Sequence, residues 1–337
     1  MRRAIPDPLS ICLIIAILAS PLFGERLLSP SQALALPENQ VATLIAVGPG
    51  ADADRYRFRQ LASEEAPIEL RLPEAAPKEL VPGSKWWVGF SELKRQPPEP
   101  RAFMRDPDGP RVLLLEGVGL ALFPATTSVG LLLDAPKEDA TEAVEGERLD
   151  AALELIGAPD GSLRRLAATE FGLNTGLWPG LSPPRLAILG RAFANLSAEP
   201  YLQFRLLEGA RGAAAAGVEG AAGRAVDWAR EALTLASLEP DTASYEPALQ
   251  IMALEVLSER GGNDDAPVVL RLLGSSHPAV GRHAVWALRE VGPERLVEAA
   301  PGILASGASN AETQRVLAAV YKQLSKETEA SKDSPEH

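Results

Sequence analysis

Cysteine is all but missing from this chain: Cys12 is the only one among 337 residues. No disulfide can form within one copy, and a structural zinc site built on cysteines is excluded. Histidine is scarce too, confined to His277, His283 and His337. His277 and His283 stand six apart, off the i, i+4 spacing that puts two metal ligands on one helix face. Positive charge is also in short supply, with 33 Lys and Arg against 45 Asp and Glu, a formal net charge of −12. Phosphate backbones are repelled by such a surface, so nucleic acid is not the expected partner. Long apolar runs are lacking except for Leu9 to Phe23, 15 residues, short of the roughly 20 that span a bilayer as a helix. What remains is a chain that is 46% hydrophobic and punctuated by 29 prolines and 28 glycines. That is ample material for a core of aliphatic side chains and short elements.

The N-terminus has the layout of an export signal: Arg2 and Arg3, the apolar run, then Ala33-Leu34-Ala35 as an A-x-A cleavage site before Leu36. The expected compartment is outside the cytoplasm, periplasmic or secreted, with residues 1–35 removed. The alternative is an uncleaved anchor over residues 9–23, the chain's sole expected contact with a membrane. A lipoprotein signal is rejected, since Ile11 and not a small residue precedes Cys12.

Residues 37–133 read as strands. Val41–Val47, Tyr56–Gln60, Ile68–Leu72, Trp86–Phe90, Val112–Leu115 and Gly119–Phe123 are short β-rich runs between Gly, Pro and Asp clusters. Tyr56-Arg57-Phe58-Arg59 alternates apolar with polar, as a sheet with one wet face requires. Residues 134–147 are acidic and poor in large apolar groups, and read as a linker. Residues 325–337 are small and charged, and read as a disordered tail.

Between linker and tail, four stretches share a layout: a polar or Pro-containing turn, then an Ala-rich amphipathic segment. They lie at 160–171, 199–210, 244–257 and 277–291. Aligning Leu163, Leu202, Glu246 and Val280 spaces them by 39, 44 and 34 residues. A period near 40 is the sequence mark of stacked helix pairs. In the last stretch Val280, Ala284, Ala287, Leu288 and Val291 form one apolar stripe. Gly209 to Gly223 and Pro301-Gly302 break the pattern, being poor helix formers.

Pro278-Ala279-Val280-Gly281-Arg282-His283-Ala284-Val285-Trp286-Ala287-Leu288 and Ser162-Leu163-Arg164-Arg165-Leu166-Ala167-Ala168 resemble HEAT-like repeats. The likeness extends over 148–324 and implies an α-solenoid of about four to five units. Gly83 ahead of the Trp86–Phe90 strand loosely resembles OB-like barrels of exported proteins. The fold class expected is thus α+β and multidomain: a small all-β, barrel-like domain followed by an α-solenoid of HEAT-like helix pairs.

Signals for chemistry are sparse. Ser91-Glu92-Leu93-Lys94 has S-x-x-K spacing but lacks the helix that would bring serine and lysine together. Asp52/Asp54 and Asp106/Asp108 have D-x-D spacing without the further oxygen ligands of a calcium loop, and read as turn residues. No catalytic, cofactor-binding or metal-binding residue is assigned, and no cofactor is expected. Arg164, Arg165, Arg205, Arg282 and Arg289 lie in or near equivalent helices of successive units. They read either as ion pairs between repeats, the preferred reading, or as a basic ladder for an acidic peptide. Trp86 and Trp87 point to opposite faces of one strand, one to the core and one to solvent as a contact residue. The expected function is an exported, non-catalytic scaffold that binds a protein or peptide on its solenoid surface. The alternatives are an accessory subunit docking through the β-module and a hydrolase with an inter-domain site.

Overall fold

The computed structural model describes residues 27–61, 66–95, 103–106, 108–133 and 142–332. The expected export signal up to Arg26, the start of the expected acidic linker and the last five residues of the expected tail lie outside the described residues.

The chain is α+β. A short helix, α1 (Pro30–Leu34), precedes a strand-rich region: β1 (Asn39–Pro49), β2 (Arg55–Gln60), β3 (Ile68–Arg71), β4 (Lys85–Ser91), β5 (Leu93–Arg95), β6 (Phe103–Arg105), β7 (Arg111–Val112), β8 (Leu114–Leu115), β9 (Gly119–Leu120) and β10 (Leu122–Pro124). Six of these form the main sheet in the order β1-β2-β3-β7-β4-β10, and β1 also pairs with β4. All its pairings are antiparallel except β3 with β7. Alternation places Leu44, Ala46, Phe58, Leu70 and Val88 inside, each no more than 1% exposed, while Arg57 and Arg59 face outward. The hairpin β5–β6 was not anticipated from the sequence, because Gln96-Pro97-Pro98 dominates that stretch. The D-x-D residues serve as turn partners: Asp54 and Asp108 both hold Arg71, at 2.6 and 3.2 Å.

Twelve described helices are numbered in chain order. After the strands come α2 (Thr127–Leu133), α3 (Glu142–Ile156), α4 (Gly161–Leu173), a 3-10 segment (Thr175–Gly180), α5 (Pro183–Asn195), α6 (Pro200–Ala215), α7 (Ala221–Leu235), α8 (Glu246–Arg260), α9 (Ala266–Arg271), α10 (Pro278–Val291), α11 (Pro293–Ser306) and α12 (Ala311–Lys332). Residues 142–147 of the expected linker are therefore the first turns of α3, and α12 runs into the stretch expected to be a tail. Prolines sit in the first turn of α5, α6, α8, α9, α10 and α11, where no backbone N–H partner is lost. Asp160 caps α4 by accepting from the N–H groups of Ser162 and Leu163.

The four similar stretches are α4, α6, α8 and α10, and they lie side by side: α4 packs on α6, α6 on α8, α8 on α10, and α10 on α12. Behind this row, α3, α5, α7 and α9 pack one on the next. Phe193 of α5 stacks on Trp228 of α7 with centroids 5.1 Å apart. Among the described residues no substantial packing joins α4 to α8 or α6 to α10.

The glycine-rich run does not break the pattern as the sequence suggested: α6 passes through Gly209 and Gly212. A Cβ at Gly209 would overlap the ring of Phe171 on α4, and one at Gly212 would overlap the indole of Trp178. The helix keeps these glycines for close contact, and packing outweighs their poor propensity. Likewise α11 continues across Pro301. Gly209→Val should therefore lose about 1–3 kcal/mol from overpacking. Urea unfolding followed by far-UV circular dichroism would show the lowered midpoint with native helix content intact.

Candidate interaction surface

The recurring arginines of α4, α6 and α10 are largely committed to neighbouring groups. Arg164 donates to Glu199 at 2.8 Å and to the carbonyls of Ala158 and Pro159, both at 2.9 Å. Arg205 is buried, paired with Glu208 at 2.8 Å and lying over the rings of Tyr201 and Phe204. Arg282 reaches Glu312 of α12 at 2.7 Å. Arg289 covers the face of Trp286, its guanidinium carbon 5.8 Å from the ring centroid. Arg165 is exposed. The five arginines thus fall on equivalent helices, but four of them are held by neighbours.

Sequence reading passed over two further arginines. Arg211 sits in the glycine-rich stretch, yet it bridges α6 to α8 by pairing with Glu255 at 2.6 Å and with Glu259. Arg230 of α7 pairs with Asp265, which is 2% exposed and also accepts the Gly262 N–H at 2.9 Å. Burial alone would raise the Asp265 carboxyl, but the Arg230 hydrogen bond, the Gly262 N–H and the Arg230 charge together hold it below the usual value. The signal for both arginines was available only as charge spacing across helices distant in sequence.

The tryptophan expectation divides. Trp86 is buried and donates to Ser84 Oγ at 2.7 Å. Trp87 is half-buried and lies against Gly130 of α2, so it belongs to the joint between sheet and helices. The exposed tryptophan among the described residues is Trp286 of α10, 38% exposed, and Tyr245 ahead of α8 is equally exposed. Ser91 of the S-x-x-K match ends β4, where its Oγ donates to the Glu38 carbonyl at 2.9 Å and accepts the Leu93 N–H at 3.0 Å, a turn role.

An open groove of about 550 Å³ crosses α4, α6 and α8. Trp178, Leu173, Met252 and Leu27 supply apolar lining beside Arg211 and Glu259. Trp178 is fixed by its Nε1–H on the Phe171 carbonyl at 2.9 Å. Among the described residues no group of three or more His, Cys, Asp or Glu converges to hold a metal ion. The groove offers an apolar shelf beside a charged wall.

Ala33 and Ala35 of the expected cleavage site lie in and just after α1, and Leu36 follows. Ser29 and Ser31 are fully buried there and hydrogen-bond to the Glu170 carboxylate of α4. The site therefore stands at the end of a segment packed through Ser29, Ser31 and Leu34.

Against known proteins, the chain matches no family model, and no curated protein or solved structure is significantly similar to it.

His283 gives the row a pH dependence. Burial lowers its pKa below the ordinary 6.5; Glu255 draws it back and Arg282 lowers it further. The 3.7 Å contact with Glu255 is thus made by a neutral ring at neutral pH. The folded state binds fewer protons than the unfolded one, so this contribution is fully present above pH 6.5 and is lost as pH falls through the folded value. Unfolding free energy measured from pH 7.5 to 5 should drop below pH 6.5, by at most about 1.4 kcal/mol per pH unit from this group. His283→Gln should flatten that part of the curve.

Proposed function

We propose that the protein is an exported, non-catalytic scaffold that binds a protein or peptide segment along the outward face of α4, α6, α8 and α10. The observation that carries this reading is the placement of four similar helices side by side, each in contact with the next. A HEAT-like solenoid has that arrangement, in which repeated positions sum modest contacts into one interface. The strand pairings favour an OB-like barrel for the first module. They run β1-β2-β3-β7-β4 and return from β4 to β1, with β3 and β7 the parallel pair.

The partner's chemistry follows from the charge. The chain carries a net −12, and Arg164, Arg205, Arg211 and Arg282 are each paired with a glutamate. A segment with basic residues and an apolar anchor complements this face, with the anchor resting on Trp178 and Met252.

A photo-reactive residue tests this in cells. Placed at Ala215 beside the groove or at Trp286, it should give cross-links to a discrete protein. At Arg59, exposed on β2, it should give none. Equal labelling from all three positions, or adducts from none, would sink the reading.

A further inference from the structure

The segment that the export pattern assigns to the end of the leader is a working part of the fold. Ser29 caps α1, with its Oγ accepting the Gln32 N–H and the Gln32 side chain returning to the Ser29 N–H. Ser31 donates twice to Glu170, from its N–H at 2.9 Å and from its Oγ at 2.5 Å. Ser29 Oγ donates a third time at 3.2 Å. Arg148 Nη2 contacts Ser31 Oγ at 3.2 Å and Glu170 at 3.4 Å. Leu34, 4% exposed, is pressed so closely on Gly89 of β4 that a Cβ there would overlap it. Asn39 at the start of β1 donates to the Ala33 carbonyl at 2.7 Å.

Removing residues 1–35 would take three donors from a carboxylate that is 0% exposed and empty the space over Gly89. A buried carboxylate stripped of donors carries its full desolvation cost. The groove would also lose Leu27 from its rim.

We infer that Ser29–Ala35 remains in the mature protein as a strap joining the sheet to α4, and that leader processing, where it occurs, cuts upstream of Ser29. This rests on the export reading of the proposed function. Gly24 is the small residue nearest upstream of Ser29. Phe23, the end of the apolar run, is six residues from Ser29, at most about 20 Å of extended chain. Retained as an anchor, the leader keeps the groove close to the point where the chain leaves the membrane; cut at Gly24, it releases the chain with the strap intact.

The test is the N-terminus of the full chain expressed in cells that export it, read by intact mass and N-terminal sequencing. Ala35 is exposed, so Ala35→Arg destroys the A-x-A site without touching the core. The strap predicts a first residue at or before Ser29, and the same first residue and thermal midpoint in Ala35→Arg. A mature protein beginning at Leu36, or an Ala35→Arg chain that alone stays unprocessed, overturns it. An intact chain found only in the cytoplasm removes the export reading and leaves the strap to be decided by the Ser31→Ala midpoint. As a second measure, Ser31→Ala in the full chain should lower the midpoint while leaving the first residue unchanged; an unchanged midpoint counts against the strap.

Discussion

The Glu170 carboxylate is the point at which the two halves of this protein are tied. It is fully buried in α4, and its partners come from three other places: Ser29 and Ser31 of the N-terminal segment, Arg148 of α3, and Asn174 just after α4. Arg148 in turn reaches the Leu132 carbonyl of α2 and both oxygens of Glu145. A charge in such a position is tolerable only while every partner is in place, since removing one side of a buried pair costs about 3–5 kcal/mol. The cluster therefore acts less as a source of stability than as a condition. The segment 29–35, α2, α3 and α4 must assemble together or none of them assembles well.

A second joint reinforces the first. The turn between β8 and β9 carries Gly117 at a φ of +71°, and a Cβ there would overlap the Tyr201 hydroxyl of α6. Tyr201 Oη also pairs with Thr169 Oγ1 of α4 at 2.6 Å and accepts from Arg205 at 3.2 Å. Trp87 against Gly130 makes a third contact between sheet and helices. A row of helices in which each packs mainly on its neighbours has an exposed apolar end unless something covers it. The strand-rich region meets the start of the row through α1 on α4, α2 on α3 and the turn at Gly117 on α6. At the other end α12 packs on α10 and α11 with Thr313, Leu317 and Val320 buried, and leaves Arg315 toward solvent.

Features carried by local periodicity were legible in the sequence. The stripe of Val280, Ala284, Ala287 and Leu288 is buried as its spacing requires, and so are Tyr56 and Phe58 between their arginines. Features that depend on distant partners were not. Nothing around Ala168-Thr169-Glu170-Phe171 announces that the glutamate is interior, because the serines that donate to it lie 139 and 141 positions away. Gly209 and Gly212 look like helix breakers until Phe171 and Trp178 are seen to need the space. Trp87 could be placed on a sheet face by alternation, but only the fold shows α2 lying over that face. The small, polar composition of 29–35 suits both a leader's end and a capped turn over a carboxylate, and local pattern cannot separate the two.

The same distinction explains why the arginines of the row were easy to find and hard to interpret. Their recurrence follows from the recurrence of the helices, and each recurring arginine meets whatever the next unit presents. For Arg164, Arg211 and Arg282 that is a glutamate on a neighbouring element. For Arg289 it is Trp286 on its own helix. Partly exposed pairs of this kind add little stability each, but they fix the rotation of one helix against the next and remove positive charge from the face. What these helices then leave exposed is their remaining carboxylates, Arg165, one indole and the shelf beside Trp178. In the proposed scaffold an anionic ligand would find only Arg165 of the recurring arginines uncommitted and would otherwise compete with the glutamates that align the helices, whereas a cationic, apolar-anchored segment leaves those pairs in place.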